Sequence, residues 1–131
     1  MKIRIWISLI GASVMVALIA VSVQAHHSIP AFYDESRTVS VTGVVKSLKI
    51  MNPHSSLTLE VGPAGRPKDT WLGIMGSGSA MGRNGWTNDT IKAGTTITIE
   101  GNPARAEGAR GMIVKTITTS EGREIKPGQI D

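Results

Sequence analysis

The sequence predicts an all-β domain, a small five-stranded OB-like Greek-key barrel with one short helix between its third and fourth strands. Three observations predict it. Five β-rich runs follow one another with turn residues between them. The first run is unusually long, and its apolar positions change parity part-way, as a strongly bent strand requires. Between the third and fourth runs the period-two pattern breaks into a short segment that suits a single helical turn or two. A small β-sandwich is the alternative arrangement of the same strands.

The first run is Val39 to Ile50. Val39 and Val41 are odd-numbered, whereas Val44, Leu48 and Ile50 are even. A strand alternates with period two, so one extra residue is expected, and Gly43 is its simplest place. Asn52-Pro53 signals a turn. Leu57, Leu59 and Val61 alternate with Thr58 and Glu60 as a second strand. The loop from Gly62 to Pro67 leads to a third strand, Thr70 to Met75, around Trp71. Gly76-Ser77-Gly78-Ser79 breaks the pattern, and a helix is expected from about Ser79 to Arg83, with Asn84-Gly85 as its left-handed end. Thr95 to Glu100 forms a fourth strand with Ile97 and Ile99 on one face. Met112 to Thr118 forms a fifth, and Gly122 turns the chain into a short edge piece at Glu124-Ile125.

Ahead of these strands, Lys2 and Arg4 form a positive start, and Ile5 to Val23 is almost wholly apolar. Val23-Gln24-Ala25 has the small-residue pattern of a signal-peptidase site. Residues 1–25 are therefore expected to be a cleaved export signal, although the apolar run approaches the length of a membrane span. Ser8, Gly11 and Ser13 interrupt it. The expected division is signal 1–25, N-terminal extended segment 26–38, and barrel 39–131. The address is the periplasm, with membrane contact only through an uncleaved signal.

The chain has 131 residues and a net charge of +4. Without Lys2 and Arg4 it has twelve basic and ten acidic residues, so the high pI says little about partners. No basic block interleaved with aromatics appears, which argues against a nucleic-acid partner. There is no cysteine, hence no disulfide and no thiolate ligand. No serine or cysteine is paired with a histidine by a known motif, and no second carboxylate is placed opposite Asp34 or Glu35. Hydrolase chemistry is unsupported, and an enzyme is not expected.

The histidines carry the most chemistry. His26 and His27 are the first two residues of the expected mature chain, and His54 lies in the Asn52-Pro53-His54 turn. A terminal histidine offers a metal its α-amine as well as its imidazole, and the amine deprotonates readily enough to bind near neutral pH. A second imidazole, from His54 or from His27, completes a nitrogen set that suits Cu(II). The bland reading is that His26 and His27 are solvated and His54 only shapes a turn. Reach is the difficulty: Val39 to Ile50 spans roughly 40 Å if straight, so residues 26–38 must be extended for His26 to meet His54.

Met51, Met75 and Met81 offer thioethers to Cu(I), or fill core gaps. Trp71 and Trp86 are read first as core anchors; Trp86, with Met51, is the candidate for a ligand face on a non-enzymatic module that binds a protein or small molecule. Gly76 to Gly82 looks like a phosphate loop but lacks the Lys-Ser/Thr ending. Asn88-Asp89-Thr90 is formally a glycosylation sequon and is read as a turn before Ile91.

Taken together, His26-His27-Ser28, Phe32, Asp34, Thr42-Gly43-Val44, Asn52-Pro53-His54, Trp71, Arg83-Asn84-Gly85-Trp86 and Lys92-Ala93-Gly94 resemble an uncharacterised family of small exported bacterial proteins, a domain of unknown function. The resemblance spans nearly the whole expected mature chain. One departure is that members often carry an aromatic just before Asn-Pro-His, where this chain has Ile50-Met51. The resemblance implies a periplasmic address and an OB-like barrel, and no established activity. It makes His26, His27 and His54 the natural candidates for a site.

Overall fold

The computed structural model describes residues 29–66 and 68–127. The expected signal and both leading histidines, His26 and His27, lie outside the described residues. Helix α1 (Ile29–Phe32) is followed by β1 (Val39–Lys49), β2 (Ser56–Val61), β3 (Asp69–Ile74), helix α2 (Gly78–Arg83), β4 (Thr96–Pro103), β5 (Gly111–Thr119) and the short β6 (Glu124–Ile125). Every strand anticipated from the alternation is present within a few residues of its expected ends.

The strands run β3-β2-β1-β4-β5-β6 across one sheet, and β3 also pairs with β5. That last pairing is parallel, Leu72 to Gly111 through Ile74 to Ile113, and it closes strands β1–β5 into a barrel. A sandwich would leave β3 and β5 as separate edges, so closure excludes it. Leu57, Leu59, Met75, Ile97, Ile99, Met112 and Ile117 are fully buried inside. Each contributes about 1.5–3 kcal/mol through burial.

The bend in β1 exists, but at a different residue from the one expected. Val41, Gly43 and Val45 all face inward, and the next inward residue is Leu48. Val45 pairs with Leu59 and Ser47 with Thr58, so Lys46 is the extra residue. A lysine tolerates the bulge because its side chain leaves for solvent, where it meets Glu60 at 3.6 Å. Gly43 serves another purpose. A Cβ there would lie 2.7 Å from the Glu60 carbonyl oxygen and 2.9 Å from Val61 Cγ2. The glycine lets β2 cross close to β1. A second bulge falls in β5, where Glu100 pairs with Thr116 and Gly101 with Val114, leaving Lys115 unmatched.

The N-terminal segment differs from its expected extended form where it is described. Ile29–Phe32 is helical, and Tyr33 bridges antiparallel to Ala104. Asp34 N donates to the Pro103 carbonyl (2.8 Å), and Arg105 N donates to the Phe32 carbonyl (2.8 Å). A turn at Asp34-Glu35-Ser36 then enters β1. Asn102 Nδ2 holds that turn by donating to the Arg37 carbonyl at 2.8 Å. The segment thus docks on the far end of β4. Pairing of its backbone with β4 satisfies polar groups that an unpaired strand alongside β1 would expose.

Candidate functional site

Helix α2 and the β1–β2 turn are built against each other. Ser77 caps the helix, its Oγ accepting from Ala80 N at 3.2 Å. At the other end Gly85 has φ +82, Trp86 N donates to the Met81 carbonyl (3.0 Å), and Gly85 N donates to the Gly82 carbonyl (3.0 Å). This is a Schellman termination, and its usual apolar contact is made by Met81 and Trp86, both members of the core cluster. The sequence Asn84-Gly85-Trp86 therefore stops a short helix and seats an indole in the core. Gly76 to Gly82 is a cap and a helix start, and the likeness to a phosphate loop is superficial.

The turn 50–55 is tied to the start of that helix and to the loop that follows it. Gly78 N donates to the Met51 carbonyl at 2.8 Å. The Asn52 carboxamide accepts from Ser79 N (3.1 Å) and exchanges hydrogen bonds with Ser79 Oγ. Ile50 N donates to Asn88 Oδ1 at 2.7 Å, so the sequon asparagine is a structural tie, within a turn closed by Thr87 N on Thr90 Oγ1 at 2.8 Å. Ser55 is fully buried and continues the ladder, its N–H donating to Gly76 (2.9 Å) while its carbonyl accepts from Met75 N (2.9 Å). The Asn52-Pro53 peptide is cis.

His54 sits on this braced turn, half-buried. Its Nδ1 is buried and has no hydrogen-bond partner. Leaving such an atom unpaired costs about 1–3 kcal/mol, so the imidazole is not repaid by hydrogen bonding within the described turn. Among the described residues no three His, Cys, Asp or Glu side chains converge on a point that could hold a metal ion. A metal at His54 would need donors from outside those residues, and His26 and His27 are the remaining histidines of the chain.

The other candidates separate clearly. Met51 is 50% exposed beside the clamp, whereas Met75 and Met81 are core residues. Trp86 is only 7% exposed within the core cluster, so it offers no open ring face to a docking ligand and the core-anchor reading describes it. Trp71 is half-buried, packed on the cluster from the barrel wall. Sequence reading missed Asn52, Asn88 and Ser79 as the residues that brace the turn carrying His54. Single asparagines and serines in loops give no periodic signal, and only the fold brings positions 27 and 38 residues apart into contact.

Elsewhere, Asp34 accepts from the Ser36 hydroxyl (2.7 Å) and backbone N–H (3.2 Å) and faces Arg105 at 3.6 Å. The Ser36 hydroxyl holds the Asp34 carboxyl below the usual carboxylate range; burial opposes it as the next-largest effect, and the Ser36 N–H and the charges of Arg105 and Arg37 add to the lowering. Burial pushes the Tyr33 phenol up. No helix among the described residues is long and apolar enough to cross a membrane.

The family model described as "Family of unknown function (DUF6152)" matches residues 14–114. The chain belongs to that family. Comparison with curated proteins and with solved structures gave no match.

Proposed function

We propose that this DUF6152 protein is exported, is cut after Ala25, and binds Cu(II) in the periplasm as a carrier or buffer. The donors are the His26 α-amine and imidazole together with the His54 imidazole. The observation that carries the reading is His54 itself, an imidazole fixed on a doubly clamped turn with a buried, unpartnered Nδ1. In the tautomer that leaves Nδ1 unprotonated, this nitrogen carries a lone pair with no protein partner, as a metal donor requires.

The barrel's closure also supports it. Along β1, His54 lies roughly 40 Å from the strand's beginning. Around the wall the route is shorter. Phe32 is hydrogen-bonded to Arg105, Ala104 to Gly111, and Leu72 to Arg110, and Leu72 pairs with Thr58 near the start of β2. Four neighbouring-strand steps make roughly 20 Å from Phe32 to Thr58, and four more residues, roughly 13 Å if extended, lead from Thr58 to His54. Copper is favoured over zinc because amine and imidazole donors follow an affinity order that peaks at Cu(II), and the chain has no thiolate to build a closed tetrahedral zinc site.

The test is Cu(II) affinity by chelator competition, with electron paramagnetic resonance, on the protein as its host processes it. A version with one glycine added before His26 is expected to lose tight binding while keeping its fold. His54→Ala is expected to weaken binding less, and His27→Ala to leave it unchanged. Equal affinities with and without the added glycine would exclude the terminal amine. Loss on His27→Ala would move the site to chelation by the first two residues alone.

A further inference from the structure

We propose that a second site, independent of the histidines, binds a small organic anion that carries a carboxylate on a compact apolar body. It is a groove of about 250 Å³ between the segment that leads into β4 and the β5–β6 turn. Its lining combines an apolar floor with a rim rich in hydrogen-bond donors. Ile91, buried, and Ile125, half-buried, form the floor. Lys92 comes from one wall and Arg123 from the other.

Both cations are exposed, and neither belongs to any ion pair among the described residues. Lys46, Lys68, Arg105, Arg110 and Lys126 each face a carboxylate, and Lys92 and Arg123 are among the described cations that do not. The hydroxyls in the groove are poised in the same sense. Thr90 Oγ1 already accepts from Thr87 N at 2.8 Å, and Thr119 Oγ1 accepts from Arg123 N at 3.2 Å. One lone pair of each is engaged, and its proton is left to donate. Arg123 N on Thr119, with Thr119 N donating to the Arg123 carbonyl (2.9 Å), also fixes the turn that presents the guanidinium. Thr95 adds a further hydroxyl to the lining.

A donor-rich rim over aliphatic side chains recognises an acceptor-rich head on an apolar body. Asp89, the one carboxylate of the lining, leaves a net charge of one positive unit and disfavours a multiply charged anion. The carboxylate head is matched to Arg123, whose N–H fork donates to both of its oxygens, with Lys92 as a second point charge.

The experiment is a ¹H–¹⁵N titration of the processed protein with sodium benzoate, with benzylamine and inorganic phosphate as comparison probes at equal ionic strength. Benzoate is expected to give saturable shifts at Asp89–Thr95 and Thr119–Ile125. Lys92→Gln and Arg123→Gln, tested singly, are each expected to weaken it roughly tenfold, the scale of one charge-assisted contact. Lys115→Gln, an exposed cation on β5 outside the groove, is expected to change nothing. Because all three side chains are exposed, these variants keep the parent spectrum elsewhere. Absence of saturable shifts, shifts at other residues, or unchanged affinity in both groove variants would overturn the proposal. So would equal binding of benzylamine, which lacks the anion, or of phosphate, which lacks the apolar body. None of these outcomes bears on copper, since no histidine lines the groove.

Discussion

Substituting Gly101 by alanine should damage the barrel more than its position in an ordinary strand suggests. Gly101 stands where β4 leaves its partner β1 and continues against β5, opposite the Lys115 bulge. Its φ is not positive, so alanine meets no backbone penalty there. The obstacle is steric. A Cβ would overlap the Ile113 carbonyl oxygen, lie 2.8 Å from the Ile113 carbonyl carbon and 3.1 Å from Val114 Cα. These are backbone atoms of the strand that also pairs with β3 to close the barrel, so no side chain can rotate away. Overpacking costs about 1–3 kcal/mol when neighbours yield, and here the expected cost is about 3 kcal/mol or more. With a urea slope of about 1–1.5 kcal/mol/M, the midpoint should fall by roughly 2 M, read by fluorescence of Trp71 and Trp86. Gly82→Ala is the matched control. It lies inside α2 with nothing within 4 Å of its Cβ position and an ordinary helical φ. It should gain about 0.5–1 kcal/mol. A Gly101→Ala midpoint equal to that of the parent would refute the close approach of β4 to β5, and with it the closure as described.

Three other expectations follow from the contacts. Trp86→Ala should cost about 3–5 kcal/mol, and Trp71→Ala clearly less, in the same urea assay; the reverse order would remove Trp86 from the core. Asn88→Ala removes the acceptor for Ile50 N and should cost about 1 kcal/mol, with faster hydrogen exchange at the Ile50 amide as the direct readout. Ser36→Ala should raise the Asp34 pKa toward its ordinary value. A carboxyl whose folded pKa is lowered adds stability that is present above the ordinary carboxylate range and is lost as pH falls through its folded pKa. The variant should therefore show less of that acid-side loss, checked by ¹³C titration of the Asp34 carboxyl and by stability against pH.

Much of the fold was legible because it is written in local periodicity. Leu57-Leu59 and Ile97-Ile99 mark inward faces at period two, and they are buried as that pattern requires. Asn84-Gly85 marks a helix end because few residues other than glycine take a positive φ readily, and Gly85 does take it. The long first run also foretold a bulge. It did not locate it, since Val44 and Val45 are equally apolar and only pairing with β2 decides which one turns inward.

The histidines show the same division. That His54 follows Asn-Pro in a turn is a local fact, and its residue type alone makes it a candidate metal donor. That the turn carrying it is braced by Asn52 on Ser79 and Asn88 on Ile50, while its own Nδ1 stays unpaired, depends on contacts across 27 and 38 residues. The groove is wholly tertiary, because Lys92 and Arg123 share it only once β4 and β5 lie side by side. Sequence alone determined the strands, the helix stop and the residue types able to bind a metal, since each follows from a residue and its near neighbours. Register, closure and the facing of distant side chains were decided by the barrel, because one residue of slip between strands exchanges inside for outside.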